Sequence, residues 1–164
     1  MTNAEIEQEN PGIGRVTQDA AARGLDIEVR VRPVANSLHE AAKILGIEPS
    51  GIVKTLVVKR SDDTFLFALV PGGRKISWSK LRAVVGVNKL QLPDASRALD
   101  ATGYERGTIT PLGSTIPWPV FADAAIVGRR VAMGAGAHGF SAFVDADELI
   151  RAFDAIVADI SDPE

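Results

Sequence analysis

The segment 51–71 constrains the fold most, because it contains two apolar strands joined by a short polar turn. The first strand, 51–60, begins GIVKTLVV, and the second, TFLFALVP at 64–71, returns after Ser-Asp-Asp. Branched and aromatic apolar residues on either side of a polar turn predict a β-hairpin. Strict alternation leaves both faces of the first strand largely apolar, so the chain must place other elements around it.

One position in this hairpin does not fit the apolar pattern. Lys54 alternates with Ile52, Leu56 and Val58, so its side chain leaves an apolar face. Burying an unpaired ammonium group is costly, so such a lysine is normally paired, neutral or directed into a cleft. Two interpretations stay open from the residues alone. Lys54 either extends to solvent or pairs with a carboxylate, or it faces a ligand.

Helices and strands are interleaved along the rest of the chain. Ser37, Ser77, Asp94 and Asp145 are typical N-caps, and Ser37 with Glu40 has the spacing of a capping box. Helices are predicted over about 14–24, 37–46, 77–86, 94–103 and from 145 onward, and further strands over 25–33, 87–93, 124–136, 138–144 and 155–160. This order lacks the regular alternation of a parallel doubly wound sheet. It predicts an α/β (α+β) fold with a mixed, mostly antiparallel sheet or partly closed barrel surrounded by helices.

Length and composition indicate one globular domain. The chain has 164 residues, of which 46% are hydrophobic and 24% charged. We expect residues 1–10 to be a loose segment and 11–164 to form the domain. No apolar run approaches the twenty residues of a membrane span, and the N-terminus lacks the basic and apolar regions of a secretory signal. The expected location is the cytoplasm, with no membrane partner.

Several kinds of chemistry are unfavourable in this sequence. The chain has no cysteine, which excludes disulfides, thiolate nucleophiles and cysteine-ligated zinc. With His39 and His138 as its two histidines, a histidine-rich metal site is also unfavourable. The sequence contains no nucleophile elbow, P-loop, zinc-protease motif or dinucleotide fingerprint. We therefore expect no metal and no cofactor.

Charge is unevenly distributed although the net charge is only -3. Between Lys54 and Arg97 there are nine basic and three acidic residues, a net of +6. From Asp145 to Glu164 there are seven acids and one arginine, a net of -6. Such asymmetry is compatible with a polyanionic partner near the middle of the chain or with chance segregation on a mixed surface.

Two loops rich in glycine and proline, 104–119 and 133–139, are candidate functional segments. GAGAHG at 134–139 could form a nest of peptide N–H groups for an anion, or simply a tight hairpin turn. His138 in this turn is either a binding group or proton donor, or a histidine hydrogen-bonded for structural reasons. In GYERGTITPLG at 103–113, Gly103 is first of all a helix stop, and composition alone describes the rest as a surface loop.

Four segments in order resemble the YbaK/EbsC-type family, the free-standing relatives of the editing domain of bacterial prolyl-tRNA synthetase. They are SLHEAAKILGIEPSGIVKTLVV, LVPGGRKISWSKLRAVVG, TGYERGTITPLG and the GAGAHGF turn. The resemblance covers roughly residues 14–160. It implies an α/β sheet-barrel with surrounding helices and hydrolysis, in trans, of wrongly charged aminoacyl-tRNA, in several members tRNA for proline.

The resemblance also implies roles for particular residues. Lys54 matches the functional lysine of the family and is the expected catalytic residue, and Thr55 is an expected substrate-binding residue at the pocket edge. The substrate-binding positions that it implies in the two loops are Gly103, Gly107, Thr110 and Pro111 over the aminoacyl group, and Gly134, Gly136, Ala137 and His138 at the substrate end. Many relatives carry a serine or threonine with an arginine in the second loop, so the Ala-Gly-Ala-His sequence leaves open which amino acid is removed.

The reaction that the resemblance implies is hydrolysis of the ester between an amino acid and the terminal adenosine of tRNA. The partner is the aminoacyl-tRNA acceptor end, which the net-positive segment 54–97 is expected to receive, and a synthetase is a further candidate partner. A non-catalytic module that binds aminoacyl-tRNA or a nucleotide-like ligand is the alternative. A hydrolase of small esters unrelated to tRNA is a third hypothesis, and the oligomeric state stays open.

Overall fold

The computed structural model describes residues 2–164 of the chain. This part contains ten strands in three sheets and six α-helices. The strands are β1 (Ile27–Val31), β2 (Val53–Arg60), β3 (Phe65–Pro71), β4 (Arg74–Ile76), β5 (Leu90–Gln91), β6 (Val120–Asp123), β7 (Arg130–Gly134), β8 (Phe140–Asp145), β9 (Ile156–Ala158) and β10 (Ser161–Pro163). The helices are α1 (Asn3–Glu9), α2 (Pro11–Ala22), α3 (Leu38–Leu45), α4 (Trp78–Val85), α5 (Ala95–Thr102) and α6 (Ala146–Phe153).

The predicted hairpin forms the centre of the largest sheet. The order of this five-stranded sheet is β5-β2-β3-β6-β9, with β2 and β3 antiparallel and with β6 parallel to both β3 and β9. A second, antiparallel sheet has the order β1-β8-β7, and β10 pairs with β4. In the described residues, the two larger sheets join through a bridge between Ile52 and Ala132 and do not close. The mixed, mostly antiparallel sheet is confirmed, and the barrel alternative is not.

The predicted helix starts have the side-chain caps that their sequences indicate. The cap oxygens of Ser37, Ser77, Asp94 and Asp145 each accept the peptide N–H three residues later. The capping box at α3 is incomplete, because the carboxylate of Glu40 accepts from the peptide N–H of Asn36 rather than of Ser37. Gly46 ends this helix at a φ of 72°, a left-handed conformation that favours glycine.

Four short elements were not expected from the sequence, namely α1, β4, β6 and β10. Asn3–Glu9, in the segment expected to be loose, forms α1, because Thr2 and Glu5 make a reciprocal capping box. The carboxylate of Glu7 also accepts a hydrogen bond of 2.8 Å from the Thr17 hydroxyl, which joins α1 to α2. β10 was not expected, because proline is rare in strands except at their edges. Met1 of the expected loose segment lies outside the described residues.

The core lies on both faces of the five-stranded sheet. One cluster, which includes Val53, Val57 and Phe67, fills the space toward the β1-β8-β7 sheet. The other, which includes Val58 and Leu66, lies under α4 and β10. Both faces of the hairpin are therefore covered, as the apolar alternation indicated. Among residues 2–164, the helices are too short or too polar to form a membrane span.

Candidate functional site

One edge of β2 is fully paired, whereas the other is open over its middle. Toward β3 the pairing is continuous from Val53 to Lys59. On the other edge, β2 pairs with β5 at its last two residues and meets β7 only through the bridge at Ile52, among the residues that the structure describes. Between these two points β2 and β7 diverge, and a wedge opens between the two larger sheets.

The hydrogen-bond register decides which peptide groups face this wedge. The Ile52 C=O accepts from Gly72, and the Arg60 N–H donates to Thr64, each at 2.8 Å. Because hydrogen-bonded pairs alternate along an antiparallel ladder, the even-numbered residues of β2 bond to β3. The odd-numbered residues Thr55 and Val57 therefore direct their N–H and C=O groups into the wedge. Within residues 2–164 these groups have no ladder partner.

A cavity of about 600 Å³ fills the wedge. Its walls come from α3, β2, β7, the start of β8, the segment 92–98 and residues 106–109 of the predicted loop. Most of the lining is apolar, and the buried part includes Val53, Val57, Ala132 and Met133. The volume is typical of a site for a small molecule or a nucleoside-sized group.

The charged residues in the lining are all cations. Arg32, Lys54 and Arg106 line the cavity, and its lining includes no aspartate, glutamate, histidine, cysteine or tyrosine. Such a site attracts an anionic ligand. Its lining contains serine and threonine hydroxyls and one lysine, but no histidine or carboxylate that could activate such a hydroxyl as a nucleophile. We therefore expect chemistry in this cavity to depend mainly on positioning and electrostatic stabilisation.

Arg32 and Arg106, which we call the rim arginines, were not singled out by the sequence analysis. Arg32 follows β1, and its Nε donates to the hydroxyl of Ser141 at 3.1 Å. Arg106 is exposed and makes no ion pair in the described part of the chain. A sequence signal existed for Arg106, because it directly precedes Gly107 in the loop motif. Arg32 lacked such a signal, since its position depends on how β1 packs beside β8.

The structure shows Lys54 partly paired, which is one of the interpretations that its strand position left open. Its Nζ donates to the Arg74 C=O at 2.6 Å and lies 3.6 Å from the Glu164 carboxylate. The side chain keeps 32% of its exposure, and the residue belongs to the cavity lining. Alternation places this side chain on the sheet face opposite to that of Thr55. Lys54 is thus a partly paired cation at the edge of the cavity, and its catalytic role stays a prediction.

Thr55 carries a polar group that the protein itself leaves unsatisfied. Its Oγ1 is buried and has no hydrogen-bond partner, and the residue lines the cavity. An unpaired buried hydroxyl is costly, so native structures rarely keep one without a ligand or a water. The position that the sequence analysis placed at the pocket edge therefore offers a free hydrogen-bonding group beside the open edge of β2.

The 104–119 loop is held rigidly against α2 and the core. The Tyr104 hydroxyl donates to the Leu112 C=O at 2.7 Å, and the Arg15 guanidinium lies 4.7 Å from the centre of its ring. Burial raises the pKa of Tyr104 to about 12, so the phenol stays neutral and keeps donating at physiological pH. The Asp19 carboxylate accepts from the Gly113 N–H at 2.8 Å. These bonds fix the backbone that presents Arg106 and Gly107 to the cavity.

The predicted residues of this loop occupy different surroundings. Gly107, at a φ of 90°, lines the cavity. Thr110 is fully buried, and its hydroxyl accepts from the Leu112 N–H. Gly103 ends α5 and accepts a hydrogen bond from Arg15, and Pro111 lies in a separate surface groove beside α2. The structure thus brings Gly107 to the cavity and uses the other three to shape the loop.

The 134–139 turn mainly packs against other parts of the protein. Gly134 lines the cavity, and a Cβ there would lie 2.5 Å from the Ile109 carbonyl oxygen. The Gly136 N–H donates to the Thr108 C=O, and a Cβ on Gly136 would lie 2.7 Å from the Gly12 carbonyl oxygen. That N–H is therefore not free to bind an anion.

Ala137 and His138 lie at the outer end of this turn, outside the cavity lining. Ala137 is half-buried, whereas His138 is exposed. The His138 Nε2 lies 3.1 Å from the Glu105 carboxylate. This contact joins the turn to the loop that carries Arg106, so the structure places His138 beside the cavity mouth rather than within it.

Part of the net-positive segment is paired with carboxylates within the fold. Lys80 Nζ lies 3.0 Å from both Asp159 and Asp162, which belong to the acidic end of the chain. Lys59 and Arg97 both pair with Asp63. The uneven distribution of charge along the sequence therefore partly serves contacts between the basic segment and the acidic end of the same domain.

A protein-family model described as the aminoacyl-tRNA editing domain matches residues 32–152. The matched range contains β2, the rim arginines and both predicted loops. It therefore includes every wall of the cavity.

Two curated relatives are proline–tRNA ligases. The chain is 35% identical over 95 residues to that of Desulforamulus reducens, which is 58% of this chain and 16% of the relative. To that of Geotalea daltonii it is 30% identical over 127 residues, 77% of this chain and 21% of the relative. The chain thus spans about a fifth or less of the curated relatives it matches.

One solved structure is similar over nearly its whole length. It belongs to a protein provisionally assigned as a trans-editing enzyme for prolyl tRNA synthetase. The TM-score is 0.85 at 26% identity, and the match covers 93% of this chain and 98% of that one.

Proposed function

The chain belongs to the aminoacyl-tRNA editing domain family, and we propose that it is an aminoacyl-tRNA deacylase that acts on tRNA for proline carrying a small wrong amino acid. The proposed substrates are alanyl- and cysteinyl-tRNA for proline, hydrolysed in trans. The relatives that are proline–tRNA ligases support this choice of tRNA. Action in trans is supported by the similarity to the whole length of the protein assigned as a trans-editing enzyme.

The observation that carries the proposal is the character of the cavity. Its three cations, with no carboxylate in the lining, suit the phosphates that flank a terminal adenosine. Its buried wall of Val53, Val57, Ala132 and Met133 suits a small apolar group. A charged acceptor end has both features, since it presents phosphates next to an esterified amino acid.

The cavity supports a mechanism without a protein nucleophile. The aminoacyl ester is already activated, so a positioned water and a stabilised oxyanion suffice for hydrolysis. Water adds to the ester carbonyl, and collapse of the tetrahedral intermediate releases the amino acid and the ribose hydroxyl. In this proposal the neighbouring ribose hydroxyl of the tRNA assists the water. Lys54 supplies a fixed positive charge near the terminal phosphate or the carbonyl, and the Thr55 hydroxyl holds the substrate.

Selectivity for a small amino acid follows from the limits of the synthetase. An apolar pocket distinguishes one methylene by only about 1–3 kcal/mol, so smaller amino acids enter and require a second sieve. A synthetase that delivers the mischarged tRNA is the proposed partner, and the cytoplasm is the proposed location because charged tRNA is made and used there.

A deacylation panel tests this proposal. The purified protein is incubated with alanyl-, cysteinyl-, seryl- and prolyl-tRNA for proline, with alanyl-tRNA for alanine and with free alanine ethyl ester, at two salt concentrations. We expect hydrolysis of the alanyl or cysteinyl species on tRNA for proline, little on the cognate pairs, and slower turnover at higher salt.

Two results would contradict the proposal. Binding of the mischarged tRNAs without turnover would indicate a module that only binds aminoacyl-tRNA. Equal hydrolysis of the free ester, without salt dependence, would indicate a small-ester hydrolase. Hydrolysis confined to another tRNA would retain the deacylase and correct the substrate.

A further inference from the structure

We propose that the open edge of β2 reads the terminal adenine of the substrate, with the Thr55 C=O accepting from the adenine N6 amino group and the Val57 N–H donating to N1. This inference rests on the proposed function, because it assigns a part of the same substrate to a part of the same cavity. It goes beyond that function by naming how the base, rather than the amino acid, is held.

The first support is the arrangement of peptide groups on this edge. Thr55 C=O and Val57 N–H are consecutive groups on the side of β2 that faces away from β3. Together they offer one acceptor beside one donor. Adenine presents the complementary pair, a donor at N6 and an acceptor at N1, on its Watson–Crick edge. Unpaired peptide groups lining a cavity are costly unless a ligand or water satisfies them.

The second support is an exposed apolar surface beside the same edge. Leu92 follows β5, lines the cavity with Pro93, and is 55% exposed. A large apolar side chain that lines a cavity and stays exposed suits the face of a planar ring. An ammonium group would gain nothing from this surface, and it would also meet three cations and no carboxylate in the lining. The edge therefore favours the base over the α-amino group of the amino acid.

The third support is the position of the charges. The rim arginines and Lys54 line the same cavity as the edge, and Arg106 belongs to a loop fixed by hydrogen bonds. A nucleotide whose base pairs with β2 would place its phosphates near such cations. The Thr55 hydroxyl, buried and without a partner, then lies beside the base or its ribose.

The test uses one RNA minihelix charged with alanine and prepared with different terminal nucleosides. The series contains adenosine, 1-deazaadenosine without the N1 acceptor, purine riboside without the N6 amino group, and 7-deazaadenosine as the matched control with an intact Watson–Crick edge. We expect kcat/KM to fall about tenfold for the 1-deaza and purine substrates, the effect of one hydrogen bond in a cavity. The 7-deaza substrate should react within twofold of adenosine.

A backbone variant tests whether the loss of kcat/KM with the 1-deaza substrate arises from a contact with β2. Replacing the Val57 amide with an ester, by incorporating the corresponding hydroxy acid, removes the N–H and keeps the side chain. This variant should lose activity on adenosine and show no further loss on the 1-deaza substrate, since the two changes remove one shared bond. Circular dichroism and the unfolding midpoint show whether the variant folds. The nucleoside series on the unmodified protein tests the inference even if it does not.

The outcomes separate this inference from the proposed function. If the adenosine substrate is not hydrolysed when it carries alanine or when it carries cysteine, the proposed function fails. If it is hydrolysed and the 1-deaza and purine substrates react equally well, the function stands and base reading by β2 is overturned, which leaves the edge to the amino acid. A loss confined to 7-deazaadenosine would also overturn it, because a different edge of the base would then be read. Additive losses in the ester variant would remove Val57 from the contact.

Discussion

The cations on the outer surface of the domain and the rim arginines have opposite surroundings. Lys80 lies between Asp159 and Asp162, and Arg97 pairs with Asp63. Arg32 and Arg106 line the cavity, and neither has a carboxylate partner within residues 2–164. Charge density along the chain therefore does not show which cations are available to a polyanion. A cation that lines a cavity without carboxylates stays available for a ligand, so its position in the fold is more informative than its position in the sequence.

Lys54 is partly paired, like the outer cations, and lines the cavity, like the rim arginines. Its removal should have the largest effect on deacylation. Lys54→Ala deletes a cation from the cavity edge, and we expect kcat/KM for the mischarged tRNA to fall about 100-fold, as for the loss of one electrostatic stabiliser of a transition state. Lys59→Ala is the matched control, because Lys59 lies on the same strand but pairs with Asp63. Its activity should stay within twofold of the original. Equal effects of the two changes would remove Lys54 from the mechanism.

The rim arginines should show a smaller effect with a distinct salt signature. Arg32→Gln and Arg106→Gln should each raise KM about tenfold at low salt with little change in kcat. Each should also reduce the slope of log(kcat/KM) against log salt by about 0.7–0.9, the share of one phosphate contact. Lys80→Gln serves as the control with a paired cation, and its slope should not change. A reduced slope in the control would mean that the outer surface also binds the tRNA.

The same comparison explains what the sequence could predict. The hairpin, the helix caps at Ser37 and Asp94, and the mixed sheet followed from local patterns, since alternation and capping act over a few residues. The open edge of β2 could not be predicted, because it depends on how β7, distant in sequence, diverges after the bridge at Ile52. Neither could the pairing of the basic and acidic segments, which requires β10 to lie beside β4.

The candidate site was also predicted only where local sequence patterns determine it. Lys54 was singled out from the strand pattern and Thr55 and Gly107 from the resemblance, and all three residues line the cavity. Arg32 was missed, because an arginine after an edge strand looks like any surface charge until β8 packs beside it. The glycines of the 134–139 turn look like an anion nest in the sequence, yet the Gly136 N–H is used within the protein. A glycine pattern predicts close approach but not whether a ligand or another segment approaches.

A substitution of Glu164 tests whether the partial pairing of Lys54 weakens its interaction with the substrate. Its carboxylate lies 3.6 Å from Lys54 Nζ and is largely exposed, so it competes weakly with a bound phosphate. Glu164→Gln should raise kcat/KM about twofold at low salt, and the gain should vanish at high salt because an exposed ion pair is screened. Asp26→Asn removes a negative charge from an exposed residue without an ion pair among the described residues. A similar gain in that variant would indicate a net-charge effect rather than competition.

The smallest effect concerns the paired cations and should appear in stability alone. The hydrogen bond from Lys80 lowers the pKa of Asp159, so this carboxylate contributes stability above its unfolded pKa of about 3.9 and loses it as the pH falls through the lower folded value. Asp159→Asn should therefore lower the unfolding midpoint slightly at pH 7 and less at pH 3. The loss stays small because Lys80 retains Asp162 and the site is exposed. Thermal unfolding at both pH values measures this, and unchanged deacylation is the result that separates the outer surface from the cavity.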